Sequence, residues 1–365
     1  MWTERTGRFM AKLRAGVIGA GSWAVASHIP NMVHRSDEVE LVGVARPDRE
    51  LLDWVASEFG FPVAATDYRE LLDQQLDICI ISSPNRFHYE HAKAAMLSGA
   101  HVMVEKPFKL YPAEAWDLVE TAERLDRHLL LALGWNYRPM VRRAKELVEE
   151  GGGFGDVEHI MIDMSSAARE LLAVGAPYEA GSSVATARPE TYMDRTVSGG
   201  GYAQAQLSHA LGLAFWLAED VRAVEAFAFM SAPLQAPVEL HDAISVRFSN
   251  GGLATVSGSS CHSGYDGNKH VLSVRIIGSE AMLSVDMGRE LVYWYRGGGD
   301  AVRLDLDENA GDYDCDGPVH TLVDLALGRD VRNCSAGHVG ARAVEVTEAA
   351  YRSARTGEVA RVAGR

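Results

Sequence analysis

The chain has 365 residues, 47% of them hydrophobic and 23% charged, an ordinary globular composition with enough apolar residues for more than one core. A formal charge of −15 repels phosphate backbones and acidic membranes, so nucleic acid is not an expected partner. No apolar stretch reaches the roughly 18 to 20 residues of a spanning helix, and the first dozen residues lack a signal peptide's apolar segment, so no membrane contact and a cytoplasmic location are expected.

Residues 1–12 read as a polar lead-in, because the first buried-strand pattern begins only at Leu13. From Leu13 to Leu133 the apolar runs Ala15–Gly19, Leu41–Ala45, Ile78–Ser82, Val102–Glu105 and Leu129–Leu133 alternate with amphipathic segments, among them Phe87–Ser98 and Ala113–Arg124 at helix length. Continuous apolar runs suit strands buried on both faces, and this alternation predicts β-α-β units in an α/β Rossmann domain over residues 13–134. Cys79 lies inside one such run and reads as a small core residue. With Cys261, Cys315 and Cys334 it is too isolated for a disulfide framework or a paired-cysteine metal site, and no metal is expected.

Past Gly134 the texture changes. A helix is predicted over Val141–Glu150 and a strand over Val157–Met164. Beyond Val221, Arg222–Met230, Ala243–Phe248, Leu253–Ser259, Val271–Ile277, Ala281–Val285 and Leu291–Tyr295 are alternating or β-branched, with turns such as Asn250-Gly251 that suit hairpins. Helices Val319–Leu327 and Ala341–Ala354 close the chain. Residues 135–365 are therefore expected to form an α+β domain on one large, mostly antiparallel open sheet. No fixed-period repeat is present.

Gly19-Ala20-Gly21-Ser22-Trp23-Ala24 has the spacing G-x-G-x-x-A directly after the first strand. Gly19 permits the tight turn, Gly21 lets the backbone approach a pyrophosphate, Ala24 allows the helix to pack close to the strand, and the helix N-terminus faces the phosphates. After the second strand, Arg46 stands where a NAD site places its ribose-binding acid. A guanidinium there favours the 2′-phosphate of NADP; alternatively Arg46 is a solvated surface residue, and Asp48 or a backbone group holds the ribose of NAD.

Ser83-Pro84-Asn85-Arg86-Phe87-His88, and then Gly99 through Glu105-Lys106-Pro107, carry a strong resemblance to the Gfo/Idh/MocA oxidoreductases, the glucose–fructose oxidoreductase and inositol dehydrogenase family. The nucleotide turn, Tyr137-Arg138 and Gly199-Gly200-Gly201 leading into a helix with His209 extend that resemblance over nearly the whole chain. It implies a two-domain fold with the active site between domains, and a nucleotide site of Gly19, Gly21, Ser22, Trp23, Ala24, Arg46, Ser83, Pro84, Asn85, His88, Glu105 and Lys106. It also implies that Lys106 reaches nicotinamide and substrate, and that Pro107 follows a cis peptide. Oxidising a secondary alcohol needs a proton acceptor and positive charge beside the nascent alkoxide, tasks that His209 and Lys106 fit. The family's helix usually carries an aspartate four residues before the histidine and another further on; here those positions are Ala205 and Gly212. Either Gln206 takes over part of the role or the chemistry is altered, and a core histidine is the alternative reading of His209.

For a polyhydroxylated substrate, Tyr137, Arg169, Tyr192, Gln206, His262 and Tyr265 are candidates, with Tyr137 and Gln206 favoured because each adjoins a motif. A homodimer or homotetramer through the broad sheet face is expected, with Leu291–Tyr295 among the strands to be covered. Three functions compete: a sugar, glycoside or cyclitol dehydrogenase; a glycosidase or lyase that uses a held nucleotide for transient redox; and a non-catalytic nucleotide-binding regulator, which the loss of the acid at Ala205 favours.

Overall fold

The computed structural model describes residues 11–178, 180–262, 271–299 and 301–363. The apolar runs of the first third form β1 (Leu13–Ile18), β2 (Val39–Ala45), β3 (Val63–Ala65), β4 (Ile78–Ile81), β5 (His101–Val104) and β6 (Leu129–Leu131). They make one parallel sheet in the order β3-β2-β1-β4-β5-β6. The order reverses between β1 and β4, which opens a crevice at their carboxyl ends where ligands bind in such sheets. β3 escapes a pattern reading because it is only Val-Ala-Ala. The helix Arg49–Phe59 before it did leave a signal: Asp48 caps it by accepting from Leu51 N at 3.2 Å, and Gly60 closes it.

Helices His88–Leu97 and Pro112–Leu125 cover one face of this sheet, burying Ala92, Met96, Leu118 and Ala122. The segment Ala24–Val33 and the helix Arg49–Phe59 cover the other with Ile29, Met32, Leu52 and Val55. They share that face with a helix from far along the chain. Asp316–Ala326, expected among the closing helices of the second domain, packs here instead, because its stripe of Val319, Leu322 and Val323 joins the core around Val17, Ile80 and Met103.

The remaining strands are β7 (Val157–Ser166), β8 (Ala223–Ser231), β9 (His241–Phe248), β10 (Leu253–Ser260), β11 (Val271–Gly278), β12 (Ala281–Asp286), β13 (Leu291–Arg296), β14 (Val302–Arg303) and β15 (Ala360–Arg361). They form a nine-stranded sheet, order β14-β13-β12-β11-β7-β10-β9-β8-β15, antiparallel except at the β7–β10 pair. Period-two alternation sends Ile160, Ile162, Ile244, Val246, Val274 and Ile276 toward the helices Pro139–Glu150, Ser208–Leu217 and Gly337–Thr356. Met161, Asp163, Thr255, Ser273 and Arg275 lie on the open face. In β13, Val292 and Trp294 are buried on the helix side, so only Leu291, Tyr293 and Tyr295 of that strand belong to the open face. Among the described residues no helix is long and apolar enough to cross a membrane.

Candidate active site

A cleft of ≈ 740 Å³ lies at the carboxyl ends of β1, β2, β4 and β5, closed from the other side by residues of the second half of the chain. Gly19 holds φ +88°, and a Cβ there would stand 2.3 Å from Ser83 N, so the turn needs glycine for both conformation and space. Gly21 differs. Its nearest obstacle would be Gly19 O at 3.9 Å, which leaves room above the backbone for a pyrophosphate. Ser22 and Trp23 line the cleft, while Ala24 is fully buried beneath it as a packing residue. These features fit the nucleotide expected from the sequence.

Arg46 is half-buried at the end of β2. Its Nη1 donates to Ala20 O at 2.5 Å, and its Nε has no hydrogen-bond partner among the described residues. Asp48 is occupied as the helix cap and lies 3.4 Å from Arg188 Nη2. Asn85 Nδ2 donates to Ser198 O at 2.8 Å and so ties the nucleotide half to the second half. His88 borders the cleft, but its ring nitrogens face Pro107 O at 3.0 Å and Ser83 O at 2.7 Å, so its task is to join the end of β4 to the turn after β5. Ser83 Oγ in turn contacts His91 Nδ1 at 2.9 Å.

At the end of β5 the Lys106–Pro107 peptide is cis. Glu105 is buried; its Oε1 meets His28 Nε2 at 2.6 Å and its Oε2 accepts from Lys106 N at 2.9 Å. Burial works to raise the Glu105 carboxyl, but the His28 contact and the charge of Lys106 prevail and hold it below the usual range. Burial pushes the Lys106 ammonium below the usual lysine range, against the opposing pull of Glu105. Lys106 Nζ donates to Ala205 O at 3.1 Å.

That contact answers part of the question raised by Ala205. Gly200 and Gly201 bring the chain close beneath the cleft, where a Cβ on Gly201 would be 2.0 Å from Glu239 O, and the following residues Ala203–Leu207 form a wide π turn before the α-helix Ser208–Leu217. The sequence pointed only to a helix carrying His209. In this turn the lysine is held by a backbone carbonyl at the position where a carboxylate is missing. His209, four residues beyond Ala205, is buried and lines the cleft. Trp135 and Tyr313 meet it edge-on, with centroids at 5.1 and 5.4 Å.

The cleft brings together Lys106, His209, Gln206 and Tyr192. Burial pushes the Tyr192 hydroxyl up to about 12, so it stays a neutral donor. Three other candidates lie elsewhere. Tyr137 points into the packing between halves, its hydroxyl 2.8 Å from Ser335 Oγ, and Arg169 does not line the cleft, although Leu171 and Leu172 of the same short helix do. His262 pairs with Glu170 at 2.7 Å in an exposed position. Tyr265 falls outside the described residues.

Sequence reasoning missed His28, Trp135, Tyr178, Gln204 and Tyr313. Trp135 lies four residues past the last parallel strand, in the turn that leaves it, a signal that could have been used; Tyr313 comes from an irregular segment and left none. His28, Glu105 and Cys315 place ligand-type atoms within 4.8 Å of one another. His28 and Glu105 are already hydrogen-bonded to each other, while burial drives the Cys315 thiol far upward, so it stays protonated, and its sulfur accepts from the Tyr313 hydroxyl at 3.6 Å.

Residues 13–133 match the oxidoreductase family with NAD-binding Rossmann fold, Gfo/Idh/MocA, and residues 141–284 match a Gfo/Idh/MocA C-terminal domain. A glycosyl hydrolase family 109 protein of Streptomyces coelicolor is 40% identical over 103 residues, 28% of this chain and 20% of that one. The D-glucoside 3-dehydrogenase of Escherichia coli is 33% identical over 140 residues, 38% of this chain and 40% of that one. The aligned stretches thus span a fifth to two fifths of these relatives. Among solved structures, an oxidoreductase domain protein from Kribbella flavida shares the fold at TM-score 0.78 and 20% identity, covering 97% of this chain and 100% of that one.

Proposed function

Since the chain belongs to the Gfo/Idh/MocA oxidoreductase family, we propose that it moves hydride between a nicotinamide and a secondary alcohol or ketone of a sugar, glycoside or cyclitol. The observation that carries this reading is the cleft itself: Lys106 at the end of β5 and His209 from the second half of the chain line one cavity with the glycine turn. Residues 13–134 serve the nucleotide and residues 135–365 the substrate.

A bound nicotinamide supplies the hydride acceptor. Lys106 keeps donors beyond its bond to Ala205 O, and these stabilise the alkoxide as it forms. His209 exchanges the hydroxyl proton; the Trp135 and Tyr313 rings hold its plane and keep water from it. Glu105 acts through Lys106, by fixing the lysine's backbone N–H and by keeping a negative charge near a half-buried ammonium. Gln206 and Tyr192 offer donors to a polyhydroxylated ligand.

Arg46 favours NADP as the nucleotide, with NAD as the alternative. The enzyme is cytoplasmic and forms a homodimer or homotetramer through the open sheet face, where Phe229 is 72% and Tyr295 40% exposed. Light scattering at micromolar concentration checks the assembly, and a monomer refutes it. A second reading has its own support in the glycosyl hydrolase family 109 relative: oxidation, cleavage and re-reduction of one sugar on a retained nucleotide. A panel of sugars, glycosides and inositols, scored by nicotinamide absorbance and by released aglycone, separates the two. Accumulating reduced nucleotide supports the dehydrogenase; cleavage without it supports the glycosidase; neither, with nucleotide bound, overturns both.

A further inference from the structure

We propose that Arg188, supplied by the second half of the chain, completes with Arg46 a site for the adenosine 2′-phosphate, so that coenzyme preference is set across the cleft and not by the parallel-sheet half alone. The inference rests on the NADP reading above and deepens it.

The neighbourhood of Arg188 is tied to the nucleotide turn. Ser182 N donates to Ser22 O at 3.3 Å, and Gly181 lies so close to Ser22 that a Cβ would be 2.2 Å from its Oγ. Ala185 is fully buried in the core that contains Ala15, Val17 and Val44 of β1 and β2. These anchors fix the backbone beside β2, while the Arg188 side chain is 75% exposed and borders the cleft.

Charge decides what this corner attracts. The guanidiniums of Arg46, Arg69 and Arg188 line this end of the cleft with the carboxylates of Asp48 and Asp67. Arg69 is engaged by Asp67 at 3.3 Å and by Glu90 at 3.1 Å. Asp48 has Arg188 at 3.4 Å and spends a further bond on the helix cap. Arg46 makes no direct ion pair among the described residues; the carboxylate that attracts it is the same Asp48, so two guanidiniums share one carboxylate at the end of β2.

A 2′-phosphate presents three acceptor oxygens. Arg46 cannot satisfy them alone, because one edge of its guanidinium is turned to Ala20 O. Arg188 has five N–H donors and one long, exposed contact to give up, and an exposed ion pair of that kind contributes little. It can therefore turn from Asp48 to a phosphate at small cost. With NAD there is no phosphate to meet, and Arg188 stays on Asp48.

The test is a titration of the purified full chain with NADPH, NADH and 2′,5′-ADP, followed by tryptophan fluorescence, in wild type, Arg188→Gln and Arg188→Lys. Arg188→Gln is expected to weaken NADPH and 2′,5′-ADP about 10-fold and NADH by less than about 2-fold, while Arg188→Lys keeps most of the affinity. Equal weakening of NADH and NADPH, or no weakening of either, overturns the assignment. The underlying NADP reading fails separately, if wild type binds NADH more tightly than NADPH; even then a changed ratio of the two dissociation constants in Arg188→Gln upholds Arg188, and an unchanged ratio removes it.

Discussion

Gly19 and Gly21 belong to one motif, yet the structure gives them different work, and substituting each by alanine separates folding from binding. At Gly19 the methyl group meets backbone, Ser83 N at 2.3 Å and Ser83 Cα at 2.4 Å, and φ is +88°. A left-handed L-residue costs about 1–2 kcal/mol, and forcing a methyl into a packed site about 1–3 kcal/mol more. Gly19→Ala should therefore lose about 2–5 kcal/mol of stability even without nucleotide. At Gly21 the nearest atom is 3.9 Å away and φ is not in the left-handed region. Gly21→Ala should stay within about 0.5 kcal/mol of wild type, while the methyl intrudes on the pyrophosphate's approach. Losing hydrogen bonds to a charged group, worth about 1.5–3 kcal/mol, weakens the nucleotide by about 10- to 100-fold. Urea unfolding of the nucleotide-free variants and fluorescence titration with NADPH measure the two effects. Equal destabilisation by both substitutions, or unchanged NADPH affinity in Gly21→Ala, refutes the division.

Lys106→Ala and His209→Ala should each lower turnover by about 10²-fold or more with nucleotide affinity nearly unchanged; near-wild-type turnover of His209→Ala, on the substrate the panel identifies, means another group carries the proton. Arg46→Asp should weaken NADPH and improve NADH, reversing any preference for the phosphorylated coenzyme; paired titrations that show the same preference in both proteins count against Arg46. Asp242 is buried with neither carboxylate oxygen partnered among the described residues, and burial, aided by Glu239, drives its carboxyl well above the usual range. Between the unfolded and folded values the native state then holds the extra proton, so stability falls as pH rises from about 4, by at most about 1.4 kcal/mol per pH unit. Asp242→Asn should flatten that decline in denaturation curves taken from pH 4 to 8, and an unaltered slope refutes the buried protonated acid.

Most of the architecture could be read from periodicity. Strands buried on both faces announce themselves as Ile78–Ile81 does, and half-buried ones by alternation, as in β9 and β10. The glycine turn was legible because its geometry is local, whereas Glu105-Lys106 stood out only through its resemblance to a family motif, its partners His28 and Ala205 being distant in sequence. What escaped depended on distant partners. Tyr137 adjoins a motif, but it faces Ser335, almost two hundred residues later. Arg169 and Leu171 share a short helix, and which of them meets the cleft depends on its docking. The π turn at Ala203–Leu207 has no signature that separates it from an ordinary helix, so the carbonyl that holds Lys106 could not be foreseen from Ala205 alone.

The helix Asp316–Ala326 and the buried Ala185 both belong to the core of the parallel-sheet half. During synthesis the chain therefore presents a nearly complete sheet long before the last piece of its cover exists. Until residue 326 has left the ribosome, Val17, Ile80 and Met103 lack part of their apolar shelter. A fragment ending near Gly134 would inherit that bare surface permanently and should aggregate rather than bind nucleotide. The two halves are thus woven in their order of assembly even though the motifs of the first lie together in the sequence, and gene truncation at the apparent domain border cuts through a core.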